Sequence, residues 1–348
     1  MRPYSMTRRC SLVGAAVTFM AGLSGGTASA QSWDEVVAAA KKEGKLTLYH
    51  NLRPAGVEVI LKTFRKSFPE IQTEQIRLGS GPLNERFATE FTSGRNLADV
   101  LITYPDEDLM KTVNERFAEW EPPQFKGNFP PHTKIEGRLY TVQQARETIV
   151  WNKNLVKDAD APREWADLFD PKWKGKVALN SPWRSLSVQQ MFAYWEDIGI
   201  KDAAERMKAN EVRFFEGSSG VIQAVIRGDV AVAHMTDIPL NPMLEDGAPL
   251  GFHYPQSGTT TADAFAAVAA KAPHPNVGRV FVNWLMSKEG QEELLREGGL
   301  SVTRNDAPGL SRLPATNKLP KAVPGMQVLT AERQKKIIEH WRTVFGVK

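Results

Sequence analysis

WADLFDPKWKGKVALNSPWRSLS, residues 165–187, reads as a short helix, a Pro-Lys-Trp-Lys-Gly turn, a strand at 176–180 and a loop, Ser181-Pro182-Trp183-Arg184, that opens into a new helix. A loop that leaves the carboxyl end of a strand and feeds a helix N-terminus presents unpaired N–H groups and the positive end of the helix dipole. In an open α/β sheet that is where ligands bind. Such loops are also ordinary connections, so the weight falls on their recurrence elsewhere in the chain.

Downstream the scheme repeats. Residues 185–196 read as a helix, 212–215 as the next strand, and Gly217-Ser218-Ser219-Gly220 opens a helix carrying Val221, Ala224 and Val225 before a third strand at 229–234. Upstream, Ser32 and Glu35 have the spacing of a capping box ahead of an Ala-rich helix that Gly44 stops. Lys45-Leu46-Thr47-Leu48-Tyr49 alternates as a strand, and Val57, Ile60, Phe64 and Phe68 share one helical face. A strand at 71–78 leads to Gly79-Ser80-Gly81-Pro82, which starts a helix with Leu83, Phe87 and Phe91 in line, and 99–103 is a buried strand. Each half is thus β-α-β-α-β, which implies right-handed crossovers and a parallel sheet. The extended runs 140–151 and 259–269 are read as two crossovers between lobes, and together they make a hinge. A helix at 275–287, a Glu- and Gln-rich turn ending at Gly298-Gly299, a proline-rich loop at 313–324 and an amphipathic helix at 331–345 complete the chain.

The first thirty residues have the form of a secretory signal peptide. Arg8 and Arg9 precede an apolar run at 12–23, and Ala28-Ser29-Ala30 places cleavage after Ala30. Thr7-Arg8-Arg9-Cys10-Ser11-Leu12 partly matches a twin-arginine leader, which leaves Sec and twin-arginine export both open. Three of the 44 Lys+Arg lie in residues 1–30, which hold no acid, so residues 31–348 carry 41 against 40 Asp+Glu and give no sign of nucleic-acid binding. The single cysteine, Cys10, also lies there, so the mature chain has no disulfides, no thiolate nucleophile and no Cys-ligated metal.

Taken in order, Leu46-Thr47-Leu48-Tyr49, Ser93-Gly94 with Ala98-Asp99-Val100, Val150-Trp151-Asn152-Lys153, Trp165 with Asp167-Leu168 and Lys172-Trp173-Lys174-Gly175-Lys176, and Arg227-Gly228-Asp229-Val230-Ala231 resemble the extracellular solute-binding proteins of bacterial ABC importers, in the branch that contains ferric-iron-binding proteins. The resemblance spans essentially the whole mature chain. It implies a two-lobed α/β fold of the periplasmic binding protein type II class, a periplasmic location, a small-molecule solute, an ABC transporter permease as partner, and a monomer. Lobe I is expected from 31–147 with 258–310 and lobe II from 148–257, with a helical tail, 311–348, packed on the lobes. Ferric binders of this branch place an adjacent tyrosine pair after the third strand of the second lobe, because phenolates are hard donors for a hard cation. Here that place reads Thr236-Asp237-Ile238-Pro239-Leu240, so ferric iron is the alternative cargo, and no metal ligand or cofactor is assigned.

The resemblance also implies that relatives bind sugar phosphates and phosphonates, which suits the residues at the loop ends. Lobe I supplies Tyr49, His50, Asn51 and Arg53, then Ser80 and Gly81, then Thr103 and Tyr104. Lobe II supplies Ser181, Trp183, Arg184 and Ser185, then Ser218, Ser219 and Gly220, then His234 and Thr236. Hydroxyls and amides at helix N-termini, with an arginine on each side, favour a carboxylate, phosphate or phosphonate gripped between Arg53 and Arg184. His234, at the end of an apolar strand, fits a hydrogen-bonded packing residue better than a ligand, Ser218-Ser219 also fits a plain N-cap, and Arg146 either faces the cleft or pairs across the hinge. No catalytic residue is assigned. The chain has no Gly-x-Ser-x-Gly elbow, no His-Glu-x-x-His and no phosphate loop.

Overall fold

A computed structural model describes residues 32–347 apart from 53, 130–132, 299–302, 308, 310–311 and 315–317, so the leader and Arg53 lie outside the described residues. The strands are β1 (Lys45–His50), β2 (Gln72–Arg77), β3 (Val100–Thr103), β4 (Lys134–Ile135), β5 (Leu139–Asn152), β6 (Val177–Asn180), β7 (Arg213–Phe215), β8 (Val232–Thr236), β9 (Leu250–His253), β10 (Thr259–Val268) and β11 (Ala322–Pro324). Their order is β2-β1-β3-β10-β5-β8-β6-β7. β1 pairs in parallel with β2 and β3, and β6 in parallel with β7 and β8, as two β-α-β-α-β units require. β10 runs antiparallel to β3, β5 runs antiparallel to β8, and these two strands, antiparallel to each other, join the two halves.

β5 is shared by both lobes, and its sequence shows why. Tyr140 and Val142 at one end belong to the first core, Ile149 and Trp151 at the other to the second, and the polar run from Gln143 to Glu147 falls at the junction. Arg146 pairs with Thr261 of β10, and the next residue, Glu147, pairs with Thr236 of β8. Asp237 clamps this point: its N–H donates to Arg146 O at 2.8 Å and its Oδ1 accepts from Arg146 N at 3.0 Å. The return path begins at Gly258, whose carbonyl accepts a 2.7 Å hydrogen bond from Trp165 Nε1. Gly258 has φ +95 and Tyr194 Oη lies 2.5 Å from where a Cβ would stand, so this turn admits only glycine.

Each lobe has its own apolar core. In the first, Phe64 meets Phe281 edge to face with centroids 5.0 Å apart. In the second, Trp165 and Trp195 are fully buried, and Phe192 stacks on Trp341 at 3.9 Å, so the C-terminal helix Ala331–Phe345 packs on lobe II. The capping box at Ser32 is present. Two readings change. Residues read as a Glu- and Gln-rich turn form the helix Lys288–Gly298, because Ser287 Oγ accepts from Gly290 N at 3.1 Å and Leu294 and Leu295 are buried. β8 starts at Val232, where pairing with Val177 begins, which puts His234 in the middle of the strand.

Candidate functional site

Three helices aim their N-termini at one cavity of about 580 Å³ between the lobes. Ser80 and Gly81 come from helix Ser80–Ser93, Ser185, Leu186 and Ser187 from the start of helix Leu186–Asp197, and Gly217 and Ser218 from the start of helix Ser218–Arg227. None of the three N-cap residues, Gly79, Ser185 and Gly217, caps its helix with a side chain. The first N–H groups and the positive dipole ends therefore remain available to a ligand. The serines are held in place from behind. Asn51 Nδ2 donates to Ser80 Oγ at 2.8 Å, Asn180 Nδ2 to Ser218 Oγ at 3.2 Å, and Ser218 Oγ lies 3.0 Å from Thr236 Oγ1.

Of the residues expected from sequence, Ser80, Gly81, Tyr104, Ser185, Ser218 and Thr236 line this cavity. The other described ones are outside its lining. Tyr49 is fully buried under helix Ser80–Ser93 and donates to the Glu90 carboxylate at 2.9 Å, because β1 continues through His50 and Tyr49 is still inside the sheet. Burial first, then Glu90, pushes its phenol up to about 12. Thr103 donates to Tyr104 O at 3.2 Å, and Ser181 to Phe215 O at 3.2 Å. Trp183 packs edge-on against Phe214. Arg184 is 72% exposed with Nη1 3.4 Å from Glu216, and Ser219 is exposed. His234 is fully buried, its Nε2 2.8 Å from Glu147 Oε2 and its ring edge-on to Trp165.

The cavity also takes residues that the sequence reading passed over. Asn84 stands one helical turn beyond Ser80, and Thr261, Asp263 and Phe265 project from β10 at alternate positions. Asp263 was visible as the one acid in TTTADAFAAVA. Gly325 and Met326 follow β11, and nothing in their local sequence announces them. Among the described lining residues there is no Lys, Arg or His, whereas Asp106 and Asp263 are both there.

Burial raises the Asp263 carboxyl from 3.8 to about 6 against the opposing pull of Thr261, Gln144 and Arg146, and raises Asp237 likewise to about 6. Arg146 is itself buried, and desolvation holds its guanidinium below its ordinary range despite Asp237 and Asp263 nearby. A carboxyl whose folded pKa is raised makes the folded state bind more protons between about pH 4 and 6, so stability falls as pH rises through that window. Asp263→Asn should accordingly stabilise the unliganded protein by roughly 3 kcal/mol at pH 7.5 and by less than about 1 kcal/mol at pH 4. Urea denaturation of both proteins at the two pH values checks this. An equal difference at both would show that the carboxyl is not desolvated.

Residues 95–320 match the family described as bacterial extracellular solute-binding protein. A Salmonella typhimurium relative, provisionally named a 2-aminoethylphosphonate-binding periplasmic protein, is 26% identical over 276 residues, covering 76% of this chain and 78% of its own. The Fe(3+)-binding periplasmic protein of Serratia marcescens is 25% identical over 257 residues, 70% of each chain. Among solved structures, iron-bound HitA from Pseudomonas aeruginosa superposes with a TM-score of 0.71 at 22% identity, over 85% of this chain and 99% of that one, and shares the two-lobed fold.

Proposed function

The chain belongs to the bacterial extracellular solute-binding proteins, and from that premise we propose that it captures one small anionic solute between its lobes and delivers it to the permease of an ABC importer. The solute is of carboxylate, phosphate or phosphonate type. The observation that carries this is the convergence of three helix N-termini, none capped by a side chain, on one interlobe cavity. The anion is held by amides and hydroxyls, since Arg184 points to solvent and pairs with Glu216. The protein works in the periplasm as a monomer after loss of its leader behind Ala30, and it returns its ligand unchanged. Closure turns on the β5 junction and the start of β10.

The 2-aminoethylphosphonate-binding relative supports a phosphonate, and the Serratia marcescens relative supports ferric iron as the alternative cargo. The donor set favours the anion. Tyr104 is the one tyrosine among the described lining residues, and burial, then Asp263 and Asp237, push its phenol up to about 12, the reverse of what a phenolate ligand needs. Among the described residues no three His, Cys, Asp or Glu side chains gather around a common point. Mass spectrometry of small molecules released by denaturing the purified protein should find one solute carrying a phosphate, phosphonate or carboxylate. A neutral solute overturns the reading, and a visible charge-transfer band with ferric citrate that Tyr104→Phe removes would transfer it to iron.

A further inference from the structure

The anionic end of the solute accounts for the helix N-termini and leaves other lining residues of the cavity unexplained. Four buried side-chain atoms without hydrogen-bond partners belong to residues that line it: Asn84 Oδ1, Asn180 Oδ1, Thr261 Oγ1 and Asp263 Oδ1. All four are oxygens. The two amide oxygens and the carboxylate oxygen only accept, and an unmatched buried acceptor costs about 1–3 kcal/mol. The residues are 4%, 3%, 2% and 8% exposed, so bulk water does not relieve them. Thr261 and Asp263 share a face of β10.

From this arrangement we infer that the cavity has a second, cation-accepting seat at Asp263, so that the solute is a zwitterion whose ammonium group sits on the Asp263 carboxylate while its anionic group sits on the helix N-termini. This rests on the anionic reading above and adds the opposite end of the ligand. An ammonium supplies three donors to a wall that is short of donors. A carboxylate buried on β10, raised to about 6 by desolvation, gains most from a cation brought into the same dry space. Arg146 attracts Asp263 from nearby without a hydrogen bond to it among the described contacts, since its Nη groups reach Pro320 O and Gln144 Oε1 and its Nε is unpartnered. The seat selects for an amine at one end of a short chain and against a simple anion of the same size, because the unaminated analogue leaves Asp263 Oδ1 buried without a donor.

Isothermal titration calorimetry with two matched pairs tests this: 2-aminoethylphosphonate against ethylphosphonate, and 3-aminopropanoate against propanoate. For at least one pair the aminated member should bind the wild-type protein ten- to a hundredfold more tightly, which is the range of a charge-assisted hydrogen bond. In Asp263→Asn that advantage should shrink to less than threefold. If both members of a pair bind with equal affinity, the ammonium seat is wrong and the anionic reading stands. If the advantage survives unchanged in Asp263→Asn, the cation sits elsewhere and the assignment of Asp263 fails. Absence of binding by all four compounds overturns the seat and the anionic reading together. The wild-type comparison decides the first point even if the variant does not fold.

Discussion

Ser218→Asp should lower solute affinity by more than a hundredfold while leaving the fold intact. Position 218 is the first residue of helix Ser218–Arg227, behind Gly217, which has φ 82 and provides no side-chain cap. A carboxylate there stands on the positive end of the helix and stabilises the unliganded protein by about 0.3–1 kcal/mol. It also occupies the place assigned to the ligand's anion. Two unit charges about 4 Å apart repel by about 4 kcal/mol at an effective dielectric of 20, and a hundredfold loss of affinity needs only about 2.7 kcal/mol. Arg184→Ala is the control. Its side chain is 72% exposed and its ion pair with Glu216 is solvated, so affinity should stay within about twofold. Calorimetry with the recovered solute, alongside thermal melts, separates the cases. Tight binding by Ser218→Asp, or severe loss in Arg184→Ala, would return recognition to the arginines.

Trp165→Ala should cost about 4–5 kcal/mol, at the upper end for removal of a buried aromatic ring. The side chain is fully buried, packs 5.9 Å from Trp195 and 5.3 Å edge-on from His234, and donates at 2.7 Å to Gly258 O. Its removal opens a large void in the second lobe and leaves the Gly258 carbonyl without its donor where the chain returns to the first lobe. Trp165→Phe keeps most of the ring and loses only the donor, so it should cost roughly half as much. Urea denaturation measures both. Similar, small losses in the two variants would mean that this cluster does not hold the return crossover.

What could be read from sequence follows where local signals and tertiary structure agree. Alternation in Lys45-Leu46-Thr47-Leu48-Tyr49 and the capping box at Ser32 and Glu35 are local, and both survive in the folded chain. The 140–151 run announced a crossover because it is too long for one short lobe strand, and in the folded chain its two ends lie in different cores. The helix at Lys288–Gly298 was hidden because its sequence, KEGQEELLREG, is mostly polar and its stability comes from packing Leu294 and Leu295 on the first lobe. At the site, Ser80, Ser185 and Ser218 were legible because helix starts are marked by Gly, Ser and Pro. Tyr49 and Arg184 were equally plausible by type. Whether a loop-end side chain turns inward depends on where the strand stops, and β1 runs one residue further than its alternation indicates. Asp263 and Gly325 reach the cavity from segments far along the chain, and only the sheet order brings β10 and the residues after β11 beside the three helix starts.

The crystal structure of the protein purified together with its native solute addresses the central claim most directly. The account predicts density for one small molecule in the cavity between the lobes, with its anionic group on the amides at Ser80–Gly81, Leu186–Ser187 and Ser218–Ser219. Density at another surface, or a molecule in this cavity that makes no contact with any of the three helix N-termini, would contradict it.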